Sequence, residues 1–259
     1  MLADHRQEQI MQLLGQRGSL TLRDIVLEFD VSDATARRDA THLASAGRLT
    51  RVYGGIVAKG LGELPFAVSD TTDRAEKYAI ARAAAAMVND GDTVILDIGS
   101  TVLELARVLG GRPITVITGN LMIYEALREH PSTELVLLGG YVRRNYWATT
   151  GHIAARVMES MHADISFLGA SGITARGSVL DSTSDDVPVK QQTLASADRS
   201  VLLATERKFP GNGQHVVCHV SQLEAIITSE RTPDSAVSQL AVHGVDIVRA
   251  SASDARRQR

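Results

Sequence analysis

The chain has 259 residues, 44% of them hydrophobic and 22% charged, with a formal net charge of -3. That is enough apolar material for one or two folded domains, and it excludes disorder over most of the length. The single cysteine, Cys218, excludes an internal disulfide framework and a cysteine-rich zinc site and fits inert core.

No apolar run approaches the roughly 18 residues of a membrane span, and the first residues are too polar for a signal peptide. A cytoplasmic protein with no membrane partner is expected. The first segment, Asp4 to Arg17, carries Ile10, Leu13 and Leu14 at helical spacing and reads as an amphipathic helix stopped by Gly18. Thr21 and Asp24 form a capping-box pattern, and Leu22, Ile25, Val26 and Phe29 give a second short helix its apolar face. After a turn at Asp30-Val31, Ser32 is the N-cap of a third helix. On it, Ala36, Ala40, Leu43 and Ala44 share one stripe and Arg37 and Arg38 lie outside it. Two short helices so closely spaced, the second opening on polar and basic residues, make a helix-turn-helix pattern.

Gly47 ends the third helix, and Arg48 to Tyr53 has strand character before Gly54-Gly55, which predicts a wing. Arg37, Arg38, Arg48, Arg51 and Lys59 stand against Asp39 alone, so positive charge is local although the net charge is negative. Paired guanidinium groups suit guanine edges and phosphates, and wing arginines suit the duplex backbone. A solvated helix face is the plainer reading of Arg37 and Arg38. Ser32 and Thr35 serve equally as phosphate donors or as local caps.

From Ala58 to Asp73 the chain lacks periodicity and reads as a linker. Beyond it strands and helices alternate. Helices are expected at 76–88, 102–109, 121–129, 153–161 and 187–196, and strands at 93–97, 114–118, 134–138, 165–168, 200–204 and 225–228, with one more helix and strand to about 248. Repeated βα units predict a mainly parallel, doubly wound sheet with ligands at the carboxyl ends of its strands. Asp97-Ile98-Gly99-Ser100-Thr101, between a strand and a helix start, is a ready anion site, although such residues also make ordinary turns.

The array Ser32, Thr35, Arg37, Arg38, Asp39, Leu43, Gly47, Arg51, Gly54 and Gly55 resembles the winged helix-turn-helix signature of the DeoR family of bacterial transcription regulators. The second region resembles that family's sensor domain, whose fold is related to ribose-5-phosphate isomerase. The matching pieces are Lys77 with Ile80-Ala81, Asp97 to Thr101, Val116-Ile117-Thr118, Leu138-Gly139-Gly140, Asp164 with Phe167-Leu168-Gly169, Lys190, and Lys208-Phe209. The resemblance implies that a phosphorylated sugar binds at Asp97, Gly99, Ser100, Thr101, Thr118, Asn120, Gly139, Gly140, Gly169, Lys190 and Lys208. Ser100 and Thr101 would donate to phosphate, Lys190 and Lys208 would supply charge, and anionic Asp97 suits a sugar hydroxyl or a structural role.

The chain departs from the family at Ala36 and Ala40, where larger aliphatics are usual, so the third helix has a thin inner stripe. It departs again at Gly119, inside what is commonly Thr-Asn, and at Thr205, commonly Asp. Tyr146 and Trp147 could cap a ligand or make packing or subunit contacts. His152 and His162 have no metal-ligand spacing. The expectation is therefore an α/β protein with a winged helix-turn-helix domain over 1–58, a linker over 59–74, a sensing domain over 75–250 and a polar tail over 251–259. It is read as a repressor of a carbohydrate operon that binds operator DNA as a homo-oligomer without metal or cofactor. The alternatives are an isomerase-like enzyme and a regulator whose pocket has diverged.

Overall fold

The computed structural model describes residues 3–17, 19–52, 55–58, 70, 73–144 and 146–251. Gly18, Tyr53, Gly54, Lys59, most of the expected linker and the tail beyond Ser251 lie outside the described residues. The chain divides into two compact units, 1–72 and 73–259.

In the first unit, α1 (Ala3–Arg17), α2 (Leu22–Phe29) and α3 (Asp33–Ser45) pack with a three-stranded antiparallel sheet. The sheet orders β1 (Ser19–Thr21), β3 (Gly55–Ala58), β2 (Leu49–Val52). The caps follow from local chemistry. Thr21 Oγ1 accepts the Asp24 amide at 2.9 Å while the Asp24 carboxylate accepts the Thr21 amide at 2.8 Å, closing a capping box. Ser32 Oγ accepts the Thr35 amide at 3.2 Å and starts α3. The wing is the β2–β3 pair. Strand β1, which sequence patterning does not announce, pairs with β3, and Gly55 is needed there because a Cβ would lie 2.4 Å from Leu20 O. Ile10, Leu14, Leu20, Ile25, Leu43 and Ile56 form the core, with Ala36 and Ala40 fully buried among them.

The second unit is built on a seven-stranded sheet in which every pairing is parallel. Its strands are β4 (Thr93–Leu96), β5 (Thr115–Thr118), β6 (Glu134–Leu137), β9 (Ala163–Leu168), β12 (Ala197–Ala204), β14 (Ala225–Ser229) and β15 (Asp246–Ala250). The order is β15-β14-β12-β9-β4-β5-β6. The helices are α4 (Arg74–Ala85), α5 (Ser100–Leu109), α6 (Leu121–Leu127), α7 (Gly151–Met158), α8 (Val187–Ala195) and α9 (Asp234–Ala241). The chain winds outward from β4 to β6, then restarts at β9 and winds the other way. Right-handed crossovers therefore send α5 and α6 to one face and α8 and α9 to the other. The reversal lies between neighbours β4 and β9, and in sheets wound this way ligands bind beyond the carboxyl ends of the strands at that point.

The sequence reading located all seven of these strands, the last only as a strand ending near 248. It omitted a β7 (Tyr141–Arg143) and β8 (Ala148–Thr150) ribbon and a sheet ordered β10 (Gly172–Ile173), β11 (Ser178–Asp181), β13 (His215–His219). Helix α5 begins at Ser100, two residues before the expected start.

Candidate functional site

Helix α3 presents Arg37 and Arg38 outward while Ala36, Ala40 and Leu43 are buried. Arg37 lies 3.8 Å from the Asp33 carboxylate, one turn earlier, and Arg38 has no ion-pair partner among the described residues. The other basic residues are engaged. Arg48 forks onto Glu8 at 2.6 and 3.1 Å, and Arg51 donates to Thr41 Oγ1 at 2.8 Å. Ser32 and Thr35 bond to each other at 2.9 Å, which makes them a local cap, although both hydroxyls stay at the surface end of α3.

Sequence reasoning missed how α3 is seated. Asp39 is buried and takes Arg6 Nε at 2.6 Å, Arg6 Nη2 at 3.2 Å and Gln7 Nε2 at 2.9 Å. Burial alone would raise this carboxyl, but the bonds from Arg6 and Gln7 outweigh it and hold it below the ordinary aspartate value. Gln7 Oε1 in turn meets His42 Nδ1 at 3.0 Å. Asp39 stands three residues after Ala36 and four before Leu43, on the inner stripe, and an acid at such a position is the signal of a buried partner.

In the second unit an ionic cluster is buried beyond the carboxyl ends of β4 and β9. Lys190, 2% exposed, makes a close ion pair with Asp97, lies 3.5 Å from Asp181 Oδ2 and donates to Gly169 O at 2.9 Å. The Gly169 amide donates to Asp97 Oδ2 at 3.0 Å. Burial alone would lower the Lys190 ammonium; Asp97, Asp181 and Asp186 outweigh it and hold it above the ordinary lysine value, so the lysine stays cationic. Burial pushes Asp97 up, with Lys190 opposing. A second pair adjoins the first: Arg143 binds Asp186 closely, Thr150 Oγ1 donates to Asp186 Oδ1 at 2.7 Å, and the guanidinium sits 4.6 Å over the Tyr146 ring. Burial also drives the Tyr146 phenol above its ordinary value.

Beside this cluster, Thr118 Oγ1 donates to Leu96 O at 2.6 Å and accepts the Asn120 amide at 3.0 Å. Asn120 is fully buried; its Oδ1 caps α6 through Met122 N at 3.0 Å, and its Nδ2 has no acceptor among the described residues. Gly119 is explained by contact, since a Cβ there would lie 2.8 Å from Thr149 Oγ1. Gly99 has φ +125° and leaves the start of α5 without a side-chain cap, with Ser100 buried and Thr101 half-buried. A Cβ on Gly139 would meet open space, whereas one on Gly140 would lie 2.9 Å from Thr150 O. Lys208 is half-buried, has no ion-pair partner among the described residues, and is lowered by burial, with Asp181 opposing and Lys190 and Arg207 adding to the effect.

The structure thus joins Asp97, Gly169 and Lys190 directly, links Thr118 and Asn120 to the end of β4, and sets the Gly99–Thr101 turn after it. Lys190 is committed to carboxylates rather than presented as a bare charge. Asp181, Arg143 and Thr150 were not legible as part of this site. Trp147 is exposed, and His162 lies 3.5 Å from Asp198 at the surface.

Residues 6–59 match the DeoR-like helix-turn-helix domain and residues 72–230 the DeoR C terminal sensor domain. The lactose phosphotransferase system repressor of Lactococcus lactis subsp. lactis is 33% identical over 210 residues, covering 79% of this chain and 82% of that protein. The HTH-type transcriptional regulator GolR of Listeria innocua serovar 6a is 30% identical over 234 residues, covering 89% and 92%. Among solved structures, ribose 5 phosphate isomerase A from Neisseria gonorrhoeae aligns with 54% of this chain and 55% of its own at 16% identity and a TM-score of 0.38, a likeness that carries no argument about activity. No helix among the described residues is long and apolar enough to cross a membrane. With both family domains matched in order along the chain, the protein belongs to the DeoR family of DNA-binding transcriptional regulators.

Proposed function

We propose that this regulator represses a carbohydrate-use operon in the cytoplasm and leaves its operator when a phosphorylated sugar binds at the carboxyl ends of β4, β5 and β9. The observation that carries the reading is Asn120, a fully buried amide whose Nδ2 has no acceptor among the described residues. A buried donor left unmade costs about 1–3 kcal/mol, and a sugar hydroxyl or phosphate oxygen would satisfy it. The uncapped start of α5 supports an anion at Ser100 and Thr101, because backbone amides and the helix dipole converge there. Lys208, without a counter-ion, would take the remaining charge, while Asp97, Gly169 and Lys190 shape the floor and Thr118 positions Asn120. Gly139 leaves room and Gly140 packs the wall. Each buried carboxylate of the cluster is already paired with Lys190 or Arg143, which favours a sensor over an isomerase that needs a free base.

On the operator side, α3 would enter the major groove with Arg37 and Arg38 on base edges and phosphates, and Ser32, Thr35, Arg48 and Arg51 on the backbone. Two copies would read repeated half-sites. DNase footprinting upstream of the neighbouring genes, repeated with candidate sugar phosphates, tests both halves. The expected result is a protected site lost in the presence of one sugar phosphate, and protection insensitive to that compound in Ser100→Ala/Thr101→Ala. Release of the double variant at the wild-type effector concentration overturns the pocket, and isomerase turnover by the purified protein overturns the non-enzymatic reading.

A further inference from the structure

Large exposed apolar side chains are concentrated in one stretch of the second unit. Leu137 on β6, Tyr141 and Val142 on β7, Trp147 in the ribbon turn, and Ile153 and Val157 on α7 are all exposed, Tyr141 by 70% and Trp147 by 54%. Consecutive residues of a strand point to opposite faces, so exposure of both Tyr141 and Val142 means that β7 is uncovered on two sides. Ile153 and Val157, one turn apart, form a ridge on α7, which packs on the same ribbon; a Cβ on Gly151 at the head of α7 would lie 3.4 Å from the Tyr141 ring. Strand β6 is the sheet edge beside them, with half-buried Leu135 and Val136 and exposed Leu137.

The opposite edge of the sheet is protected. On β15, Arg249 donates to Glu230 O and Thr232 O, each at 2.6 Å, and pairs with Asp234, so that edge carries fixed charge. Both edges expose an aliphatic, Val248 on β15 and Leu137 on β6, and β6 also carries Glu134, but among the described residues no arginine is tied across the β6 edge and it leads into the exposed residues of the ribbon. The arginines on the neighbouring helices are paired within the chain, Arg128 with Glu125 at 3.1 Å and Glu129 at 3.4 Å and Arg156 with Glu159 at 2.7 Å, so neither presents a bare cation beside this face. Aromatic side chains of about 150–250 Å² each, together with four aliphatics, expose several hundred Å², on the order of the ~800 Å² per partner of a stable dimer.

We propose that this face, formed by the β6 edge, the β7–β8 ribbon and α7, is the contact through which a second copy of the chain docks. The assignment rests on the homo-oligomer reading above and gives it a surface. It also gives the ribbon two tasks. Tyr141, Val142 and Trp147 are its exposed side chains, while its inner contacts reach the ionic cluster: Arg143 and Thr150 bind Asp186, and the Thr149 amide donates to Gly119 O at 2.8 Å. Trp147 sits at φ +53°, a left-handed conformation costly for a bulky residue, with its carbonyl accepting the Leu121 amide at 2.8 Å. An effector that shifts the inner side moves the contact between copies.

Sedimentation of the full-length protein tests this. The wild type is expected to be a dimer or larger at micromolar concentration, and Ile153→Asp/Val157→Asp to be a monomer with a cooperative thermal melt and an intact melting shift with the sugar phosphate found by footprinting. A wild-type monomer, or a folded variant of unchanged mass, overturns the assignment. If the double variant fails to fold, Val142→Cys is treated with a bismaleimide and compared with Val242→Cys, an exposed site elsewhere. Cross-linked dimers at 142 only support the contact, and any other pattern refutes it. Loss of the sugar-phosphate shift with the expected masses counts against the pocket and leaves the contact standing.

Discussion

Lys190 and Asp97 form a buried ion pair across the point where the sheet reverses its winding, tying α8 to the carboxyl end of β4. Lys190 also serves Asp181, so one ammonium holds two carboxylates inside the second unit. Removing one partner of such a cluster costs more than the cluster contributes, because the remaining charges stay buried without compensation. Lys190→Met is therefore expected to destabilise the sensor unit by about 3–5 kcal/mol. Urea denaturation followed by circular dichroism reads this directly; a loss below 1 kcal/mol, on the scale of an exposed pair, would show that the lysine is not compensating buried charge.

Asp39 should make the first unit sensitive to acid. Its folded-state carboxyl titrates below the ordinary value, so the unfolded chain binds its proton first as pH falls. The stabilisation is complete above the unfolded pKa, about 3.9, and is lost as pH drops from there through the folded value. Asp39→Asn keeps the shape and removes the titration. It is expected to cost about 1.5–3 kcal/mol at pH 7, the range for hydrogen bonds to a charged group, and the gap from wild type should narrow below pH 4. A gap of equal size at pH 7 and pH 3 counts against the Arg6–Asp39 anchor.

The arginines of the DNA-binding unit should separate by their present partners. Arg38 has no ion pair to break among the described residues, whereas Arg48 is already forked onto Glu8. Arg38→Ala is expected to lower operator affinity and to reduce the salt slope by about 1, and Arg48→Ala to change both less. A bidentate guanine contact from Arg37 adds about 1–3 kcal/mol and discrimination at one base pair. Binding titrations over a range of salt, on the operator and on single-base variants, check all three; equal effects of Arg38→Ala and Arg48→Ala would contradict the ranking.

Local chemistry explains what sequence reading could and could not reach. Thr21 with Asp24, and Ser32 before α3, are satisfied within four residues, and both caps form as their spacing implies. The βα alternation is likewise written in apolar runs, because the inner parallel strands such as β4, β5 and β14 are buried on both faces. The short ribbons were not legible. Strand β10 has two residues and pairs with β11, which pairs with β13 more than thirty residues later, so no window of sequence contains the stabilising contact. Lys190 carried no hint of its carboxylate partners, which lie just after β4 and at the end of β11. The thin stripe of Ala36 and Ala40 suggested loose seating; both are fully buried, and Asp39 supplies an anchor that the apolar pattern could not reveal.

Glu76, in the first turn of α4, is the remaining buried acid with an unusual environment. One carboxylate oxygen accepts the Glu206 amide at 2.6 Å, and the other is buried with no hydrogen-bond partner among the described residues. Burial pushes the carboxyl above its ordinary value, with the Glu206 amide opposing and Asp73 adding to the rise. The folded state therefore holds this proton to higher pH than the unfolded chain, and stability falls as pH climbs from the unfolded pKa near 4.3 through the folded one. Glu76→Gln keeps an acceptor for the Glu206 amide and removes the buried charge. Its melting temperature is expected to exceed that of the wild type at pH 7.5, and the difference should shrink or reverse at pH 4.5. A variant that melts lower by the same amount at both values would mean that the ionised carboxylate is held by attraction, with Arg231 the nearest source, and that burial does not dominate at this position.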